Sequence, residues 1–115
     1  MGVRAFVSTP RAENPYESML RNATSEENSR AIWKFALELA DYQQVEMPEG
    51  AEIISVAVQG ELVCLWAIVN PARPAEYRGI QIVGTGNPIP ANLQRFIGTV
   101  QIPPFVWHVF EVTPG

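Results

Sequence analysis

Apolar and polar side chains alternate along the first strongly apolar stretch of the chain. Large apolar residues occupy every second position there, at Trp33, Phe35, Leu37 and Leu39. This is the period of a half-buried β-strand. A helix over residues 25–39 is the competing interpretation, but spacing by two would spread the four side chains around its circumference. The pattern therefore favours a strand.

The rest of the chain contains further short runs of this kind. We predict strands over residues 42–47, 51–59, 62–69, 80–83, 96–102 and 105–112. In the second of these runs, one face carries Ile54, Val56 and Val58. The third run is apolar on both faces, as in a covered central strand. Between those two runs, Gly60 and Glu61 suit a type II′ hairpin, which needs positive φ at its first loop residue.

Two stretches rich in proline or glycine predict exposed loops. Residues 70–78 contain prolines, which lack donors for a strand ladder. Residues 84–92 combine glycines with prolines and read as a second long loop. A third, shorter signal is the Pro103-Pro104 pair, which predicts a bend between the last two strands.

Roughly seven short strands separated by turns indicate a mainly β fold, a small antiparallel β-sandwich or barrel. A parallel sheet would need crossover helices, and the pattern contains none. We assign residues 32–115 to this β domain. Residues 1–31 are mostly polar and are predicted to form an N-terminal arm, extended or partly helical, with Tyr16, Met19 and Leu20 at helical spacing.

Composition and charge narrow the classes of partner. The 115 residues suit one core, and the net charge of −4 opposes binding to nucleic acid phosphates. The longest apolar run, residues 62–69, is too short to cross a bilayer. The first residues lack the apolar stretch of a secretory signal, and the single cysteine, Cys64, cannot form an internal disulfide. We therefore expect cytoplasmic synthesis, with neither nucleic acid nor a membrane as partner.

No group of residues has the spacing of a catalytic or metal site. His108 is the only histidine, and the other donors, Cys64 and scattered carboxylates, show no ligand spacing such as His-x-His or Cys-x-x-Cys. Cys64 lies in an apolar run that would raise its pKa, and Ser55 lacks the glycines of a nucleophile elbow. Gly84 and Gly86 lack the Lys-Ser/Thr pair of a phosphate loop. We expect no enzymatic activity, metal or cofactor.

Several residues are candidates for contact with a protein partner. Arg73, Tyr77 and Arg78 cluster in the first predicted loop, where arginines can grip an anionic group. Aromatic residues are numerous for one small core, so either part of them lies outside, at an interface, or each of the two sheets buries its own share. The full set of predicted contacts is Phe6, Tyr16, Met19, Leu20, Arg73, Tyr77, Arg78 and Asn87.

Several short motifs together resemble a known family. They are VEMPEGAEIISVAVQ from Val45, CLWA from Cys64, GTGNPIP from Gly84, FIGT from Phe96 and HVFE from His108. They are similar to short phage and prophage proteins with no assigned function, and the match covers residues 32–111. Members commonly carry His where this chain has Asn87, so the resemblance implies no histidine-dependent site at that loop. It implies a phage source and no particular activity.

The leading hypothesis is therefore a non-enzymatic virion accessory or decoration protein whose arm orders on neighbouring subunits. Its partners would be other virion subunits or further copies of itself, and it would pass from the host cytoplasm into the virion. The alternative is a soluble inhibitor that binds a host enzyme or defence complex. A third class, a ligand-binding or hydrolytic barrel, would need a concave polar pocket, which the sequence does not indicate.

Overall fold

A computed structural model describes the backbone of residues 5–6 and all of residues 29–114. This part of the chain contains strands and turns but no helix. The strands are β1 (Ala5–Phe6), β2 (Ala31–Leu37), β3 (Tyr42–Pro48), β4 (Glu52–Gln59), β5 (Leu62–Val69), β6 (Ala75–Gly84), β7 (Leu93–Ile102) and β8 (Phe105–Val112). The prediction of a mainly β fold with about seven strands in the domain is confirmed, and the helix over residues 25–39 is ruled out from residue 31 onward.

The strands form two antiparallel sheets that pack face to face as a small β-sandwich. Sheet A has the strand order β1-β2-β5-β4, and sheet B has the order β3-β6-β8-β7. β5 is central in sheet A, as its two apolar faces predict. The chain changes sheet between β2 and β3, between β3 and β4, and between β5 and β6. Neither sheet is therefore a continuous segment of sequence.

The inner faces of both sheets supply the hydrophobic core. In β2 the alternation holds as predicted, since Phe35 and Leu37 are buried and Trp33 packs against them at the margin. Leu39 is an exception, because the strand ends at Leu37 and Leu39 is 54% exposed. The fully buried members include Phe35, Val45, Met47, Ile53, Leu65, Ile80 and Val109.

β4 corrects the prediction for one side chain. Ile54 was expected to share the buried face with Val56 and Val58, yet it is 44% exposed while Ile53 is buried. The register with β5 shifts between Ile53 and Ser55, so a bulge places one extra residue in the strand. Because a bulge inserts one residue, the side chains on its two sides no longer follow a single alternation between the faces of the sheet. A period-two pattern in the sequence does not reveal where such an insertion occurs.

The first predicted loop is shorter than expected, because β6 already begins at Ala75. Residues 75–78 were predicted to be loop, but they pair with β3, with Tyr77 opposite Glu46 and Arg78 opposite Val45. The loop is confined to residues 70–74, and both of its prolines lie there. The prolines thus exclude pairing only locally, and the charged residues that follow join the sheet.

Two predicted turns are confirmed. Gly60 has φ of +65° while Glu61 does not have positive φ, as a type II′ hairpin requires. The register pairs Gln59 with Leu62, so the loop contains two residues. Pro103 and Pro104 form the turn between β7 and β8.

β4 and β7 join the two sheets along one side of the sandwich. Arg95 on β7 donates from Nη2 to the carbonyl oxygen of Ile53 on β4 at 2.6 Å. A Cβ atom on Gly98 of β7 would lie 2.6 Å from Cγ1 of Val56, so only glycine permits this approach. The opposite side of the sandwich, near β2 and β3, contains the candidate site.

Candidate protein-binding groove

A small groove lies where the margins of the two sheets meet, beside β2, β3 and the 70–74 loop. Its volume is about 170 Å³. The lining combines apolar groups with charged side chains: an aromatic ring from β2, a buried methionine and proline from the end of β3 and a proline from the loop lie beside Glu46 and Arg73. The lining residues are Trp33, Glu46, Met47, Pro48, Pro71, Arg73 and Ala75.

The rim of the groove carries opposite charges. Arg73 donates from Nη2 to Oε1 of Glu49 at 2.6 Å, and both side chains are about half exposed. The hydrogen bond that Arg73 donates to Glu49, followed by the negative charge of Glu49, raises the pKa of Arg73, so this guanidinium stays protonated. Glu46 adds a second exposed carboxylate. An approaching chain thus meets both signs of charge beside the apolar groups of the lining.

Backbone hydrogen bonds fix the β3–β4 turn against the 70–74 loop. The amide of Glu49 donates to the carbonyl of Pro74 at 2.7 Å. The amide of Gly50, which has φ of +79°, donates to Oε2 of Glu76 at 3.1 Å. These contacts hold two walls of the groove together, so its shape is set by the fold.

Arg78 supports this turn from inside the sandwich. Its Nε atom lies 2.6 Å from Oε2 of Glu111, and its Nη1 atom donates to the carbonyl of Ala51 at 2.8 Å. The side chains of Arg78 and Glu111 are 18% and 7% exposed. The expectation that Arg78 lies in an exposed loop is wrong, because the buried carboxylate of Glu111 allows a cation to face inward.

Tyr77 lies on the outer face of sheet B beside the groove. It is 56% exposed and stands directly opposite Glu46, which lines the groove. The structure thus brings Arg73 and Tyr77 to one surface region, as predicted, whereas Arg78 faces the other way. As partner contacts, all three residues stay predictions.

The remaining predicted contacts lie elsewhere. Asn87 is exposed in the loop between β6 and β7, where its backbone amide donates to the backbone carbonyl of Gly84 at 3.1 Å. Phe6 belongs to β1, which the structure describes only as backbone. Tyr16, Met19 and Leu20 lie outside the described residues.

Within the described residues, both ring nitrogens of His108 lie close to threonine hydroxyl groups. Its Nε2 lies 2.8 Å from the hydroxyl of Thr85, and its Nδ1 lies 3.0 Å from the hydroxyl of Thr99. The contact with Thr85 attaches the loop after β6 to the outer face of sheet B. Residues 29–114 contain no cluster of three potential metal ligands.

Cys64 is buried although its position on β5 faces outward. Its neighbours across the sheet are the small residues Ala36 and Ala57, and Lys34 donates to the side chain of Gln59 diagonally across this site. This bridge shields the thiol, which is 1% exposed. Burial raises the pKa of Cys64, and the charge of Lys34 opposes that rise only in part.

The outer face of sheet B also carries apolar residues, some of them buried and some exposed. Val83, Phe110 and Val112 form a second buried cluster there, separate from the core. Phe96 packs on Phe110 with ring centroids 5.4 Å apart and is itself 53% exposed. Of the two alternatives for the aromatic residues, the structure thus shows that part of them, Phe96 and Phe105, lies at the surface.

The residues that form the groove were not all found from the sequence. Trp33 was placed on a half-buried strand and among the aromatic residues whose exposure was left open, and Pro48 and Pro71 were assigned only to turns and loops. Each of those signals was local, whereas the groove depends on where the chain passes between sheets. The only hint of a groove in the sequence was that an aromatic residue and two proline-containing turns stand near charged residues.

The size of the groove limits what it can accept. Sites for drug-sized molecules have volumes of about 300–1,000 Å³, whereas an apolar cavity of about 150 Å³ holds a single benzene ring. At about 170 Å³, this groove fits one large side chain. A single side chain inserted into an apolar pocket with a charged rim is typical of contacts between proteins.

No helix within the described residues has both the length and the apolar character needed to span a membrane. No curated protein and no solved structure shows significant similarity to this chain. One family model does match, described as a domain of unknown function, and it covers residues 28–115. That range begins three residues before β2 and contains every strand of the sandwich except β1. The chain therefore belongs to the DUF7352 family of domains of unknown function.

Proposed function

We propose that this protein is a non-enzymatic protein-binding module of phage origin that joins the virion as an accessory or decoration component. The observation that carries the binding role is the groove beside Trp33, with room for one side chain. The phage source rests on the motif resemblance between residues 32 and 111. On this proposal the chain is made in the host cytoplasm and then enters the particle.

The surroundings of the groove support a protein as the occupant. Tyr77 and the Arg73–Glu49 pair lie beside the apolar groups of the lining, so the site offers apolar and charged contacts together. Tyrosine, tryptophan and arginine are the residue types that most often dominate binding energy at interfaces. The groove is held by hydrogen bonds within the fold, so little ordering free energy is lost when a partner binds.

Mass spectrometry of purified virions tests the proposal directly. Many copies of the chain per particle are expected, since decoration proteins bind repeated sites on a capsid. Absence from the particles, with the chain instead bound to a host protein in the soluble fraction, would contradict the virion role. That outcome would favour the inhibitor alternative.

A matched pair of variants tests the groove itself. Ala75 lines the groove, so Ala75→Trp fills it and is expected to lower incorporation into particles at least about tenfold. Ala72→Trp makes the same change at an exposed position outside the lining and should incorporate normally. Equal incorporation of the two variants, both with unchanged thermal unfolding, would show that the groove is not the binding site.

A further inference from the structure

The groove contains one charged side chain that the fold does not balance. Arg73 is balanced, because its guanidinium lies 2.6 Å from the carboxylate of Glu49. Glu46 also lines the groove and is exposed, and its carboxylate takes part in none of the hydrogen bonds or ion pairs among the described residues. The groove therefore presents a negative charge that is free to pair with a ligand.

The groove and the ion pairs that support it carry an excess of negative charge. They contain four carboxylates and two guanidinium groups, which leaves two negative charges without a counterpart. The whole chain has a net charge of −4, so no distant positive region opposes this excess. A field of this sign attracts cationic groups and repels anionic ones. The six residues are Glu46, Glu49, Glu76, Glu111, Arg73 and Arg78.

Trp33 supplies an aromatic surface in the same groove. It is partly buried and packs against the core, and its ring centroid lies 6.4 Å from that of Phe35. The ring is therefore held in place before any ligand arrives. Indole attracts a cation more strongly than the other aromatic side chains do, when the cation lies within about 6 Å of the ring. A cation in this small groove can thus contact both Trp33 and Glu46.

Other kinds of side chain fit this combination less well. An apolar side chain would cover the carboxylate of Glu46 without pairing with it, and removing an unpaired charge from water is costly. The same carboxylate would repel an acidic side chain. A lysine could pair with Glu46, but its ammonium group is compact and strongly hydrated, whereas a guanidinium is planar, less hydrated and stacks on aromatic rings. Arginine therefore suits the groove best.

We propose that the groove recognises an arginine side chain of the protein partner, with the guanidinium between the carboxylate of Glu46 and the ring of Trp33. The proposal rests on the proposed function, since it names the chemistry of the partner at the same groove. The methylene stem of the arginine would lie along Met47 and Pro48, as such stems do on apolar surfaces. The segment of the partner that reaches this site is thus basic.

Nuclear magnetic resonance of the full-length protein with two small probes tests this preference. The probes are N-acetyl-arginine amide and N-acetyl-citrulline amide, which has nearly the same shape but carries a neutral urea group in place of the guanidinium. Binding is followed at the indole N–H signal of Trp33, which is identified by its absence in Trp33→Phe. The dissociation constant should be at least about fivefold lower for the arginine probe.

Two variants with the same change of charge provide the matched control. Glu46→Gln should remove most of the difference between the two probes, because it keeps the shape of the side chain and removes its charge. Glu61→Gln should keep that difference. Glu61 is exposed in the turn that precedes β5, whereas the groove lies beside the loop that follows β5.

Three results would overturn the proposal. They are equal binding of the arginine and citrulline probes, no change of the Trp33 signal with either probe, and the same preference for arginine in Glu46→Gln as in the parent. The amides of N-acetyl-lysine and N-acetyl-leucine should bind more weakly than the arginine probe. Tighter binding of either would assign the groove to that kind of side chain and would also contradict the proposal.

Incorporation into particles separates this proposal from the proposed function. If Ala75→Trp lowers incorporation and Glu46→Gln does not, the groove binds its partner without an arginine, and only the arginine proposal fails. If neither variant changes incorporation although the probes bind as expected, the groove still recognises arginine, and its role in the particle fails instead.

Discussion

At the scale of single residues, the Arg78–Glu111 pair is the charged contact on which the fold depends most. The carboxylate of Glu111 is the one buried charged group among the described residues, and Arg78 lies 2.6 Å from it. A buried ion pair adds little over an apolar pair of the same shape, but removing one partner leaves the other charge buried and alone. The two kinds of variant should therefore behave differently.

Glu111→Gln and Arg78→Met should each lower the free energy of unfolding by about 3–5 kcal/mol. The double variant should lose less than the sum of the two, because neither charge is then left alone. Urea denaturation of the three variants and the parent measures this. Additive losses would mean that the two side chains do not act as a pair.

Cys64 gives a pH-dependent prediction with a definite sign. Burial raises the pKa of the folded thiol above its ordinary value of 9.0. Above pH 9.0 the unfolded chain loses this proton while the folded chain keeps it, so rising pH favours the unfolded state. The free energy of unfolding should fall by at most about 1.4 kcal/mol per pH unit from this group.

Cys64→Ala removes the titrating group and serves as the control. Its stability should fall less steeply than that of the parent when urea denaturation is compared at about pH 8 and about pH 10. Parallel pH profiles would show that the thiol does not titrate differently in the folded state. The same burial should make Cys64 slow to react with a thiol reagent, and Gln59→Ala should accelerate the reaction by removing the partner of Lys34.

At the scale of elements, the contact between β4 and β7 depends on a missing side chain. A methyl group at Gly98 would lie 2.6 Å from Val56, inside any normal contact distance. Gly98→Ala should therefore destabilise the fold by about 1–3 kcal/mol through overpacking. In a Val56→Ala background the same change should cost clearly less, since the clashing methyl group is gone. Thermal unfolding of this double-mutant cycle measures the coupling.

The elements also show what the sequence can and cannot reveal. β2 was predictable because its core positions alternate regularly, and β5 because its whole run is apolar. The start of β6 was missed because the prolines of the 70–74 loop made the whole stretch 70–78 look unpaired, and the inward residue Arg78 has its compensating partner Glu111 33 residues further on. A local pattern contains no information about a partner at that distance.

The candidate groove was hidden for a similar reason. Arg73 and Tyr77 could be singled out as surface residues, but Trp33 looked like an ordinary core residue. The groove exists because the chain passes from β2 in sheet A to β3 in sheet B and returns, which places three separate segments side by side. The alternation of apolar and polar residues predicts the strands, but it does not indicate which of the two sheets each strand joins.

At the scale of the whole molecule, the family boundary predicts an autonomous unit. The family match covers residues 28–115, and the described core cluster contains residues from β2 to β8. A fragment that starts at Asn28 should therefore unfold cooperatively. Loss of the two-residue pairing between β1 and β2 should reduce the free energy of unfolding by about 1–3 kcal/mol. A fragment with no cooperative transition in calorimetry would show that earlier residues are part of the core.

The distribution of strands between the sheets has a consequence for synthesis of the protein. β3 belongs to sheet B, although it lies between two strands of sheet A in the sequence, and β8, the last strand, is interior in sheet B. A chain emerging from the ribosome can therefore complete sheet A once β5 has been made, but it cannot complete sheet B, which covers the other side of the core, until β8 has been translated. Folding must then close contacts between distant parts of the chain, which places it among slow, millisecond-to-second folders. Until that moment the nascent chain exposes the apolar inner faces of its strands, which favours aggregation unless chaperones cover them.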